Sequence, residues 1–84
     1  MSIGKEILLL KARLAEKKKR LNEMELRANS YIRIIRDIID PYGGEWTEFD
    51  MERARLIMED FHAVWAEART LKTEISRMEK DLNG

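Results

Sequence analysis

Asp40-Pro41-Tyr42-Gly43-Gly44-Glu45-Trp46-Thr47 is the one stretch that interrupts an otherwise continuous helical pattern, and it sets where the chain folds back. Pro41 lacks a backbone N–H and pushes Asp40 out of helical geometry, so a helix reaching this point must stop. Gly43 and Gly44 supply the positive φ that a tight reversal needs. A second helix then opens. Thr47 reads as its N-cap, Asp50 takes the capping-box position three residues later, and Trp46 and Met51 take the two staple positions. On either side of it, helix 1 is predicted over about residues 3–40, the turn over 41–47 and helix 2 over about 48–82. Together they make a single helical-hairpin domain, with Gly84 where a C-terminal cap is expected.

Both arms carry a seven-residue repeat. In helix 1, Ile7, Leu14, Leu21, Ala28 and Ile35 form one series (a) and Leu10, Lys17, Met24, Tyr31 and Ile38 a second (d). In helix 2 the a series is Ala54, Phe61, Ala68, Ile75 and Leu82, and the d series is Ile57, Val64, Leu71 and Met78. A 3.5-residue seam sustained over four heptads predicts a coiled coil rather than a general amphipathic helix. Lys17 is the only charged residue in either series. It is expected to snorkel from the seam and to help specify register.

The charges set the orientation. The formal net charge is zero, yet residues 1–36 hold ten basic and four acidic residues, while residues 37–84 hold six basic and twelve acidic. At the g positions, Arg13, Arg20 and Arg27 of helix 1 stand against Asp60, Glu67, Glu74 and Asp81 of helix 2. In an antiparallel pair g faces g, so an arginine row meets an acidic row within one chain. Each exposed pair is worth only about 0–1 kcal/mol, so the rows direct pairing more than they stabilise it. The short turn makes the antiparallel partner the other arm of the same chain.

The e positions point outward to a partner. Near the turn they are Ile32, Ile39, Met51, Met58 and Trp65; farther away they are Lys11, Lys18, Lys72 and Glu79. A lone hairpin leaves that apolar strip in water, and small chains need added support. The expected fold class is therefore all-α: an antiparallel two-helix coiled-coil hairpin that pairs with a second copy, through the e side, into a homodimeric four-helix bundle.

Composition bounds the chemistry. With no cysteine and one histidine, a disulfide framework, a thiolate metal site and a Cys nucleophile are excluded, and no cofactor is expected. The longest apolar run, Ile7-Leu8-Leu9-Leu10, is far short of the roughly 20 residues that span a bilayer. The first residues lack a secretory pattern and Ser2 excludes myristoylation, so a soluble cytoplasmic protein without a membrane partner is the expectation. Glu59-x-x-His62 matches the i,i+3 ligand pair of di-iron bundles, but Phe61, not Glu59 or His62, takes the core position, so no metal is expected. Gly43-Gly44 is a turn rather than a phosphate loop, and Ser2, Ser30 and Ser76 have no His at triad spacing.

Lys17-Lys18-Lys19-Arg20 is the strongest charge run and could meet a phosphate backbone. No aromatic lies between Lys5 and Arg27 to stack on a base, and Arg20 faces the acidic row. In size the hairpin resembles the secreted helical-hairpin family with a Trp-x-Gly turn. Here Gly43-Gly44 precede Trp46, and both tyrosines precede Gly43, so no residue is carried over. The architecture is also similar to that of the dimeric RNA-binding hairpin of plasmid copy-number control, in shape alone. The expectation is a non-enzymatic oligomerisation or adaptor module that binds a protein partner through its bundle surface. The alternative is a small nucleic-acid-binding regulator using the basic face of helix 1.

Overall fold

Leu, Lys, Glu, Arg and Ala dominate both arms, and neither contains proline; past Gly4 neither contains glycine. High intrinsic helix propensity therefore runs without a break. In the computed structural model, which describes residues 3–40 and 44–83, these arms are α1 (Ile3–Ile38) and α2 (Met51–Asn83). Their 36 and 33 residues correspond to about 54 and 50 Å of helix. The two helices pack side by side as an antiparallel hairpin measuring 67 × 18 × 15 Å.

The junctions differ from the sequence reading. α1 ends at Ile38 rather than near residue 40, with the Ile39 N–H still bonded to the Ile35 carbonyl at 3.0 Å. α2 starts at Met51, and its N-cap is Asp50 instead of Thr47. The Asp50 side chain accepts the Arg53 N–H at 3.0 Å, and its carbonyl accepts the Ala54 N–H at 3.0 Å. Thr47 lies inside a 3-10 turn, Trp46–Glu48, which uses its backbone differently. That turn ends at Phe49, which is extended (φ −61°, ψ 141°), so the cap falls on Asp50 and the helix opens at Met51. Moving the cap by three moves the staple positions too: Trp46 is 73% and Met51 61% exposed, while Phe49 is half-buried and Ala54 buried. Gly44 has φ +134°, the left-handed side that glycine tolerates. Pro41, Gly43 and Gly84 lie outside the described residues, and with them the roles expected for each.

The seam runs the length of the pair. Every a and d residue is buried or half-buried except Ile7. The ring contact between Tyr31 and Phe61, centroids 6.1 Å apart, gives the register. Stepping by sevens from that layer puts Met24 opposite Ala68, Lys17 opposite Ile75 and Leu10 opposite Leu82. The layer of Ile7 falls beyond Asn83, the last described residue of α2, which accounts for its exposure. Met24 (3% exposed), Val64 and Leu71 form the core cluster, flanked by Leu21, Ala28, Tyr31 and Ala68. Among the described residues no side chain is enclosed below 2% exposure. Two helices supply a line of contact rather than an enclosed interior.

Candidate protein-interaction surface

The 3.5-residue seam fixes what each edge of the ribbon presents. Residues at e from both helices fall on one edge and residues at g on the other. On the e edge, Ile32, Ile39, Met51, Met58 and Trp65 are all exposed, from 38% to 61%. They lie together along the bend half of the hairpin. Ile34, at g, is half-buried on the opposite edge.

Trp65 is the anchor of the strip. His62, one turn before it, sits 5.4 Å from its ring, and the Arg69 guanidinium lies 5.0 Å over its face. Neighbours at i−3 and i+4 share a helix face, and a cation over an indole is attracted by its quadrupole. The ring is thus flanked by His62 and Arg69 while nearly half of the residue meets water. Beside it opens a groove of about 300 Å³ between the helices, floored by Met24, Ala28, Val64 and Ala68 and rimmed by Glu25 and Lys72. The groove exists because Ala28 and Ala68, in adjacent layers, leave a large-side-chain volume unfilled. A smaller hollow lies across the ring, between Met58, Phe61, His62 and Trp65. Sequence reading named the strip but missed the groove; two alanines at seam positions were the available signal.

The charge rows are engaged unevenly. Arg20 is paired with Glu67, its Nε donating at 2.9 Å. Glu74 is taken by seam residue Lys17 at 2.7 Å rather than by Arg13, which makes no ion pair among the described residues. Arg27 donates to the Tyr31 hydroxyl at 3.4 Å. Its pKa is raised by that bond and the tyrosine first, and then by the fields of Glu67 and Asp60. On the e edge Lys18 meets Glu79 at 2.9 Å. Three of the four residues in the Lys17–Arg20 run are therefore tied to α2 carboxylates, and Lys19 projects from the outer face. The run does not form a continuous stripe facing one groove of a nucleic acid.

Glu59 and His62 do not converge. Glu59 accepts from Arg55 at 2.7 Å and His62 lies tilted against the Trp65 ring. The Arg55 pKa is raised by Glu52 first and Glu59 second. Among the described residues no three His, Cys, Asp or Glu side chains gather in a metal-binding arrangement. No described helix is long and apolar enough to cross a membrane.

The two edges also differ in charge. At the e and b positions of the helices, Lys11, Lys18, Arg36, Arg55, Arg69 and Lys72 face only Glu25 and Glu79 in opposition. The bend end is the reverse: residues 37–52 contain six acids and no base. A chain of zero net charge therefore has a basic e edge and an acidic bend end. Comparison with protein-family models, with curated proteins and with solved structures found no match for this chain.

Proposed function

We propose that the chain is a non-enzymatic assembly module. Two copies pair through the bend half of the e edge to make a four-helix bundle, and the bundle surface engages a protein partner. The observation that carries this reading is the contiguous exposure of Ile32, Ile39, Met51, Met58 and Trp65. Fully burying a large apolar side chain is worth about 1.5–3 kcal/mol, so even partial further burial of several offsets much of the entropy of association. The total surface supports it. The chain exposes 7063 Å², against about 5,200 Å² for a compact monomer of 10 kDa. That excess, about 1,900 Å² per chain, is more than the roughly 800 Å² that each partner gives to a standard protein–protein interface.

Sedimentation velocity on wild type and three variants tests the proposal. Wild type should be a dimer at micromolar concentration. Trp65→Glu and Ile32→Glu should each shift it toward monomer, because each buries an unpaired charge. Lys18→Ala, outside the strip, should leave it dimeric. Circular dichroism on the same samples separates loss of association from loss of folding. A folded wild-type monomer, or a larger effect from Lys18→Ala than from Trp65→Glu, would sink the self-association reading.

A further inference from the structure

We infer that the free end of the hairpin makes a shallow contact with an anionic membrane surface. The aliphatic side chains of Ile3, Ile7, Leu8 and Leu9 enter the boundary between headgroups and acyl chains, and unpaired bases just behind them meet the headgroups. This surface lies at the other end of the rod from the e strip and does not depend on self-association.

The register leaves the first turns of α1 nearly alone. Leu10 stands opposite Leu82, so α1 reaches about 10 Å beyond that layer at 1.5 Å per residue. Every residue from 3 to 9 is exposed. Ile3 is 76%, Leu8 67%, Leu9 55% and Ile7 38% exposed. Direction says what can cover them. At 100° per residue, Ile3 and Ile7 project within about 60° of Leu10 and continue the seam, whereas Leu9 and Leu8 project about 100° and 160° away from it. A helix laid along the seam, from this chain or another, covers Ile3 and Ile7 and leaves Leu8 and Leu9 in water. A helix end that is apolar on nearly all sides suits a medium that surrounds it, and the boundary region of a bilayer, entered to about 5–10 Å, is such a medium. No described helix is long and apolar enough to cross a membrane, and a segment seated in the interface needs no such length.

The charge behind the tip selects the lipid. Lys11, Arg13 and Lys19 of α1 and Arg77 and Lys80 of α2 make no ion pair among the described residues; Glu6, Glu16 and Asp81 oppose them. Lys11 and Arg13 stand about 3 and 6 Å behind Leu9, and Lys80 falls at a height between them. All three are within the screening length of about 8 Å at physiological salt, where bases beside an apolar anchor are drawn to anionic lipid. The same charge disfavours two other occupants. Over residues 3–20 and 72–83 there are ten bases and five acids, so two free ends repel each other. A nucleic acid would meet the bases but offer the aliphatic side chains no apolar medium.

Co-sedimentation of the full chain with vesicles tests this, using phosphatidylcholine alone and phosphatidylcholine mixed with phosphatidylserine. The chain should bind the mixed vesicles roughly tenfold or more tightly than the neutral ones, and added salt should weaken binding. Leu8→Asp together with Leu9→Asp should cut binding roughly tenfold or more. Both side chains are exposed, so circular dichroism should show the helices intact. Lys11→Glu together with Arg13→Glu should lower binding to the mixed vesicles by a similar factor. Fluorescence locates the contact. In Leu9→Trp, the new indole should be quenched by brominated acyl chains, whereas Trp46 and Trp65 of wild type, in the bend half, should not. No binding, equal binding to both vesicles, or binding unchanged by the Leu8 and Leu9 substitutions overturns the inference. So does quenching of the wild-type tryptophans, which would place the bend half on the lipid. Lipid-free particles larger than a dimer that the Leu8 and Leu9 substitutions dissolve would assign the tip to a second copy and overturn it as well.

Discussion

Asp50 and Thr47 compete for one role, and their substitution separates them. Removing an N-cap side chain costs about 0.5–2 kcal/mol. Asp50→Ala should therefore lower stability by about 1 kcal/mol in a denaturant titration, while Thr47→Ala should change it by a few tenths. Equal effects would show that the 3-10 turn does not govern the start of α2. Gly44 offers a second contrast. A methyl group there meets nothing within 4 Å, so space is not the obstacle; its φ of +134° is. Gly44→Ala should cost about 1 kcal/mol, whereas Gly4→Ala, in the open first turn of α1, should be neutral or stabilising. The turn pattern already marked Gly44 for positive φ, but it placed the cap on Thr47 and gave Asp50 only the capping-box position. Which of Thr47 and Asp50 caps α2 depends on the path of the chain between them, and propensity does not encode that path.

Between the elements, the seam was legible because a period of 3.5 over four heptads allows few other folds. The partners across it were less so. The rule that g faces g set the arginine row against the acidic row without fixing the register, so it singled out neither the Arg20–Glu67 pair nor the capture of Glu74 by Lys17, which reaches out of a d position opposite Ile75. Lys17 and Glu74 are each more than a third exposed, so their bond contributes little to stability. Lys17→Leu should thus raise the thermal midpoint by several degrees, since about 1 kcal/mol shifts a domain of this size by roughly 4–8 °C. The cost should appear as loss of a unique register, seen as broadened amide resonances. A lower midpoint would mean that the Lys17–Glu74 pair holds the helices together after all. The groove beside Trp65 was hidden for the same reason. Ala28 and Ala68 become neighbours in space only once the register is known.

At the scale of the molecule, a radius of gyration of 19.0 Å compares with about 12 Å for a compact domain of this length. Extension puts the basic run and the bend acids far apart on one rod. With Lys17, Lys18 and Arg20 held by Glu74, Glu79 and Glu67, affinity for RNA or DNA should be weak at physiological salt. Fluorescence anisotropy with a labelled oligonucleotide checks this. Sub-micromolar binding that a Lys17/Lys18/Lys19→Glu variant abolishes would favour the regulator reading over the assembly reading.

The register described above also dictates an order of folding. Ile38 and Ala54 share a layer and are separated by 15 residues of chain; Leu10 and Leu82 share one and are separated by 71. Closing the longer loop directly costs about 1.4 kcal/mol more in chain entropy. Once the bend layers have met, each further layer closes only a short gap, so the arms zip from the bend outward and unzip from their free ends inward. Native-state amide exchange should be slow at Met24, Val64 and Leu71 and progressively faster toward Leu10 and Leu82, with a uniform profile as the contrary result. The bend is then where the rod begins, and the distal arms are the part it can open without coming apart.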